Sequence, residues 1–265
     1  MTREAGTVFD SRAATYDREF SDTQIGARMR AAVWQRCDAR FQPGMRILEV
    51  NCGTGEDALH MARRGVSVLA TDASGAMLRV AAEKIEAAGY RRSVDLRELA
   101  WEDLAWEDLA QVEPGLFDGA LSNFGGLNCV PDLAGAMRAL AGCLRQGAVA
   151  VLCIMGPVVP WEWAWFLLQG KPGKAFRRLK TGGAKWQNLT IRYPRIAEVR
   201  RALGKEYRVL RVSALGALLP PPFTESMARR HQRLLGALNS IERRLETVWP
   251  LPQLADHYVI ELERL

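Results

Sequence analysis

The sequence predicts an α/β fold, a mostly parallel sheet with helices on both faces, and three observations predict it. Short apolar runs alternate with stretches of helical periodicity. The run Ile47-Leu48-Glu49-Val50 passes through the glycine-bearing turn Asn51-Cys52-Gly53-Thr54-Gly55 directly into helix-forming residues. Ala148 to Met155 is almost continuously apolar, as suits a strand buried on both faces. At 265 residues the chain suits one such domain with an appendage. Ordinary apolar and charged fractions exclude disordered and fibrous classes.

Residues 1–39 read as a helical extension. Phe9, Ala13 and Tyr16 share one face of an amphipathic helix, and a second helix from Thr23 to Phe41 closes at Pro43-Gly44. Residues 40–155 form the core. A strand from Met45 to Val50 leads through the glycine turn to a helix ending near Arg63-Arg64-Gly65, and a second strand, Val66 to Thr71, delivers Asp72. This is a βαβ unit. A helix from Ser74, strands at Ser93–Leu99 and from Leu116, a helix from Pro131 to Leu144 and the strand Ala148–Met155 follow. Gly147 is expected to break that last helix before the strand.

Residues 156–206 interrupt the pattern with Gly-Pro punctuation, clustered Trp and many cations, and so read as an insertion after the fifth strand. The apolar stretch Ala148 to Leu168 is broken by Gly156, Pro157, Pro160 and Glu162, and is expected to be a strand and a surface helix instead of a membrane span. Residues 207–265 complete the core with strands at Tyr207–Ala214 and His257–Leu265, seven in all. Between them Met227, His231, Leu234, Leu238, Ile241, Leu245 and Val248 recur at helical spacing, a stripe expected to pack on the sheet or, less favoured, to form a dimer seam.

The glycine turn has the makings of a ligand cradle. Gly53 and Gly55 let backbone approach a ligand closely and take positive φ without steric cost, and amides opening the next helix face the cleft. The two oxygens of Asp72 suit the hydroxyls of a ribose. A nucleoside with an anionic tail is the expected ligand. Gly53 to Ala58 also satisfies G-x-G-x-x-A, so a dinucleotide-binding dehydrogenase competes.

The wider stretch resembles the first motif of class I S-adenosylmethionine-dependent methyltransferases. Glu49, Cys52, Gly53, Thr54 and Gly55 match it, and Asn51 stands where the family has its first glycine. Asn tolerates the left-handed region, so the turn survives. Phe9-Asp10-Ser11-Arg12-Ala13-Ala14-Thr15-Tyr16-Asp17 is similar to the F-D-x-x-A-x-x-Y-D entrance segment of the ubiquinone- and biotin-pathway type. The resemblance implies a Rossmann-like three-layer sandwich whose last two strands form an antiparallel pair, with S-adenosyl-L-methionine as cofactor. It implies Tyr16 in the cover; Glu49, Asn51, Gly53 and Gly55 at the loop or the ammonium group; and Asp72 on the ribose. Ala73, Ser74 and Met77 would line the adenine, though Met77 equally suits core packing. The family's adenine-binding acid aligns with Ala100, which leaves Glu102 to serve and Trp101 to stack on the base or pack.

Open α/β sheets bind ligands beyond the carboxyl ends of their strands, which places Ser122, Asn123 and Phe124 at the reacting centre. Asn123 either contacts the methionyl part or substrate, or fixes its own loop. The insertion is expected to choose the acceptor through Trp161, Trp165 and Tyr193. Its aromatic and basic content suggests a small-molecule or lipid-like acceptor, or contact with an anionic membrane surface. RNA is the rival partner. No catalytic base is assigned: Tyr16 and Tyr193 are phenols within reach, while His60, His231 and His257 read as structural. Scattered Cys37, Cys52, Cys129, Cys143 and Cys153, with three His, exclude a zinc site and a disulfide framework. A polar Met1-Thr2-Arg3-Glu4 opening fits a cytoplasmic protein, monomer or homodimer. RNA methylation, the dehydrogenase and a binding protein that no longer transfers methyl are the alternatives.

Overall fold

The computed structural model describes residues 2–100, 117–221 and 224–265. Five strands, β1 (Arg46–Val50), β2 (Ser67–Asp72), β3 (Val94–Glu98), β4 (Phe117–Ser122) and β5 (Leu144–Met155), join β8 (Tyr207–Leu215) and β9 (His257–Arg264) in one sheet of order β3-β2-β1-β4-β5-β9-β8. β9 runs antiparallel to both of its neighbours, which makes the last two strands the expected antiparallel pair.

Alternation along β1 explains the layers. Ile47 joins one core with Val33, Cys37 and Met61, whereas Leu48 and Val50 join a second core with Met137 and Leu140. Helix α2 (Gln24–Arg40), α3 (Glu56–Arg63) and α4 (Gly75–Ala87) follow the extension's α1 (Arg3–Asp10), and α5 (Leu133–Cys143) precedes β5. Gly147 does not end an element as expected. It takes φ +79 inside β5, where the register against β4 shifts and the strand bulges.

Register sets the site. Val50 pairs with Thr71 and with Ser122, so β1, β2 and β4 end level and Asn51, Asp72 and Asn123 rise together from one edge. Because β9 is antiparallel, its first residue, His257, reaches the same edge beside Met155.

Residues 156–206 build α6 (Pro160–Leu168), α7 (Pro172–Ala175), the hairpin of β6 (Ala184–Trp186) and β7 (Leu189–Ile191), and α8 (Ile196–Ala202). Strand then surface helix replaces a span here, and among the described residues no helix is long and apolar enough to cross a membrane.

The expected single stripe near the end is corrected. The helix breaks at His231 into α9 (Glu225–Arg230) and α10 (Gln232–Leu245), and Leu234, Ile241, Leu245 and Val248 face outward. Two acids decide the rotation. Glu242 accepts the amides of Gly216 and Leu218, each at 2.7 Å, and Glu246 accepts from Arg36 at 2.7 Å and Arg211 at 2.6 Å. Buried charges without these partners cost more than exposed leucines, so the acidic face turns inward.

Candidate functional site

Beyond β1 the backbone enters the left-handed region at Asn51 (φ +56), Gly53 (φ +55) and Gly55 (φ +76). The two glycines serve different ends. A β-carbon on Gly53 would meet nothing within 4 Å, so the space above this peptide is open to a ligand. One on Gly55 would lie 2.9 Å from the Ala81 β-carbon, so Gly55 allows α3 and α4 to close on each other. Gly55 thus serves the packing of the two helices.

Asp72 is 1 % exposed and accepts the Gly53 amide on Oδ2 and the Ser74 amide on Oδ1, both at 2.9 Å. Each oxygen keeps a lone pair for a further donor. Burial, its largest influence, raises this carboxyl above its ordinary value. Glu49 is equally buried, and its Oε2 has no hydrogen-bond partner. Burial and then the nearby Asp57 push the Glu49 carboxyl well up. This orphaned acceptor lies beneath the glycine turn and is not among the residues that wall the cavity above it.

Asn123 hangs in a network that was not legible in sequence. Its Nδ2 donates to Asp57 Oδ2 at 3.0 Å and its Oδ1 accepts the Phe124 amide at 3.0 Å, so it fixes its own loop. Asp57, in the first turn of α3, also accepts from Arg30 and Trp34, each at 2.6 Å. Phe124 takes φ +48, an uncommon state for a bulky residue that the surroundings must hold. Arg30 sits 4.8 Å from its ring centre, Phe20 packs edge-on at 4.7 Å and His257 edge-on at 5.7 Å.

Asn51, Gly53, Asp72, Met77, Asn123 and Phe124 wall one cavity, with Phe9 and Tyr16 from the extension and Gly125, Gly126, Cys129, Met155 and Ile191 opposite. The space left inside is about 80 Å³. Ligand pockets run to about 300–1,000 Å³, so this cavity, closed in part by Phe9 and Tyr16, is smaller than a nucleoside needs.

Two aspartates of the entrance segment hold that cover down. Asp10 Oδ1 accepts Ser74 Oγ at 2.6 Å and the Ala76 amide at 3.1 Å. Asp17 accepts Thr54 Oγ1 and Lys84 Nζ, each at 2.6 Å, which clamps the extension to the glycine turn. Burial opposes ionisation of Asp17 most strongly, but the bonds from Lys84, Thr54 and Ser21 and the charge of Lys84 together lower its pKa. Burial chiefly raises the Tyr16 phenol.

Other expected residues lie elsewhere. Ala73 is covered by α1, its carbonyl oxygen 2.2 Å from where a β-carbon on Gly6 would sit. Trp161 is on the surface with Nε1 donating to the Leu218 carbonyl at 3.2 Å, Trp165 is partly buried in α6, and Tyr193 lies under the Arg178 guanidinium at 5.1 Å. None of the three lines this cavity. The reason is the ion network in which Arg178 binds Glu162 at 2.6 Å and Asp256 at 2.5 Å, drawing α6 toward the start of β9. The β6–β7 hairpin reaches the cavity in its place, bringing Ile191 to the wall and Trp186 to 5.6 Å from Phe9. Trp101 and Glu102 lie outside the described residues. His60 stacks on Trp34 at 4.0 Å and bonds Asp38 at 2.8 Å, as a structural residue does.

Residues 47–147 match the protein family described as Methyltransferase domain. The tRNA 5-carboxymethoxyuridine methyltransferase of Escherichia coli (strain K12) is 30% identical over 148 residues, 54% of this chain and 54% of that protein. The ubiquinone biosynthesis O-methyltransferase of Xanthomonas campestris pv. campestris (strain B100) is 36% identical over 110 residues, 42% of this chain and 43% of that protein. The chain thus spans about half the length of the curated relatives it matches. The crystal structure of the [4+2]-cyclase SpnF shares the fold, with TM-score 0.65 at 15% identity over 100% of this chain and 96% of that one. These likenesses set aside the dehydrogenase reading of the glycine turn. Through its first motif and the match over residues 47–147, the chain carries a methyltransferase domain similar to those of the class I S-adenosylmethionine-dependent methyltransferases.

Proposed function

We propose that this protein methylates a small-molecule or lipid-like acceptor with S-adenosyl-L-methionine as donor. The observation that carries the reading is the open space above Gly53 (φ +55), flanked by Asp72 and Met77 where β1, β2 and β4 end level. When bound, S-adenosylmethionine supplies a methyl group already attached to a positively charged sulfur. The residues present fit it: Gly53 offers bare backbone, Asp72 spare lone pairs for a ribose, and Glu49 Oε2 an unmet acceptor for a cationic or amide donor.

The chain's own work is then alignment and the exclusion of water. Holding two reactants in line is worth about 7–11 kcal/mol in well-oriented systems. Phe9, Tyr16, Phe124, Met155 and Ile191 supply an apolar wall around the reacting centre. No nucleophilic side chain is required, and a base matters only for an acceptor that arrives protonated. In this reading residues 1–39 cover the cofactor, 40–155 bind it, 156–206 face the acceptor and 207–265 complete the sheet, in a cytoplasmic enzyme.

Calorimetric titration with S-adenosylmethionine, followed by a product assay with radiolabelled methyl donor against fractionated extracts, tests this. Binding and labelled small molecules support it, and absence of binding refutes it. Binding without any labelled product favours a protein that keeps the cradle without transfer. RNA is the second reading, favoured by the 30% identity to the Escherichia coli tRNA methyltransferase. Label appearing in RNA alone would decide for it.

A further inference from the structure

We propose that α6, α7 and the turn that follows form a docking surface for an anionic phospholipid bilayer. Leu168 is 87% exposed, and Leu167, Leu179 and Phe176 are 47%, 44% and 41% exposed, all within one short stretch. Contiguous apolar exposure of this kind marks an interaction site. Ring contacts join α6 to the segment after it: Phe176 packs on Trp163 with ring centres 5.5 Å apart, and Arg177 lies 5.4 Å over Phe166.

Charge selects the occupant. Between Glu162 and Glu198 the chain has eight Lys and Arg and no acid, more than the net +6 of the whole protein. Glu162 is buried and paired with Arg177 and Arg178 at 2.8 and 2.6 Å, which leaves the other six cations of the stretch uncompensated by it. Lys171, Lys174, Lys180 and Lys185 are exposed, and among the described residues none has an acidic partner within ion-pair distance. Aliphatic tips ringed by lysines suit an interface where leucines enter the acyl boundary and ammonium groups meet headgroup phosphates. RNA suits it less, because the most exposed side chain, Leu168, offers no stacking face and Phe176 is already packed on Trp163. A second copy of this chain would set lysines against lysines.

The platform is fixed to the body. Arg178 bonds the carbonyl oxygens of Gly156 and Asp256 at 3.1 and 3.0 Å, as well as the Asp256 carboxylate. The same segment supplies Ile191 to the cavity, so docking would present the site to a membrane-borne acceptor. That consequence rests on the methyltransferase reading, but the surface does not.

Sedimentation with vesicles of phosphatidylcholine, alone or mixed with phosphatidylglycerol, tests it at physiological salt and without cofactor. The protein should pellet with the anionic vesicles only. Leu167→Asp with Leu168→Asp should weaken this roughly tenfold or more, since an acid within the apolar zone is strongly disfavoured. Lys171→Gln with Lys174→Gln and Lys180→Gln should weaken it roughly a hundredfold, at the scale of about 1 kcal/mol per cation near an anionic surface. All five positions are exposed, so the melting temperature should hold, and calorimetry with S-adenosylmethionine on the same variants reports separately on the cofactor site. No pelleting, pelleting indifferent to the leucine changes, or RNA competing the protein off the vesicles would each overturn the proposal.

Discussion

The side chain of Asn51 occupies the space that a β-carbon on Gly126 would need. Built there, that atom would lie 1.9 to 2.3 Å from Asn51 Cγ, Oδ1 and Nδ2. Asn51 donates from Nδ2 to the Asn123 carbonyl at 3.0 Å and accepts Ser122 Oγ on Oδ1 at 2.9 Å, so it ties the end of β1 to the end of β4. Where the family has glycine, this chain has a strut, and Gly126 is the room the strut requires.

Gly126→Ala should therefore cost about 1–3 kcal/mol through overpacking. Asn51→Gly removes the obstacle and keeps the positive φ, at about 1 kcal/mol for each lost hydrogen bond. The double variant should be more stable than the sum of the two predicts. Denaturant unfolding of all four proteins measures the coupling, and strict additivity would show that the two residues act independently.

Asp72 anchors the glycine turn, and in the proposed function it also accepts from a ribose. Asp72→Ala should lower stability by about 1–3 kcal/mol, because the amides of Gly53 and Ser74 lose their acceptor, and should abolish measurable cofactor binding. Asp72→Asn retains one acceptor oxygen and should lose less stability while still binding weakly. Thermal unfolding beside calorimetry separates the effects. Full affinity in Asp72→Ala would remove Asp72 from the site.

Acid should loosen the cover through Asp17. Its pKa is lowered in the folded protein, so its stabilising contribution is present above the ordinary carboxylate value of about 3.9 and fades as pH falls through the folded one. Limited proteolysis of the first twenty or so residues should accelerate on acidification below about pH 4. Asp17→Asn should cleave readily at neutral pH and lack the acid step. A wild-type cleavage rate independent of pH across that range would rule the clamp out.

Arg178 is the tether between insertion and sheet. Glu162 and Asp256 are 2% and 5% exposed, so Arg178→Met leaves two buried carboxylates short of a partner and should cost about 3–5 kcal/mol. Although burial works most strongly against it, Arg178 and then His257 hold the Asp256 carboxyl well below the usual range. Urea titration of the variant gives the value. A loss below about 1 kcal/mol, the scale of exposed pairs, would mean the network is not a tether.

Much of the site was legible because its chemistry is local. A glycine that must take positive φ, and an acid at the end of a strand, announce themselves by position, and Asn51, Gly53, Asp72, Met77, Asn123 and Phe124 do wall one cavity. Asp57 gave no such signal, since an acid in a first helical turn reads as an ordinary helix former. The place of the tryptophans of α6 outside this cavity was not legible for the opposite reason: it depends on an arginine that binds a carboxylate at the far end of the chain.

By itself the sequence determined the class of sheet, the order of its strands along the chain and the glycine turn that opens the cavity, because strand and helix periodicity and backbone permissiveness are properties of neighbouring residues. Only the tertiary structure decided which face of α10 turns inward, which part of the insertion reaches the cavity and that Asn51 needs Gly126. Those outcomes come from buried charges and close-packed atoms contributed by residues far apart in the chain, where one carboxylate left unpaired outweighs several leucines left in water.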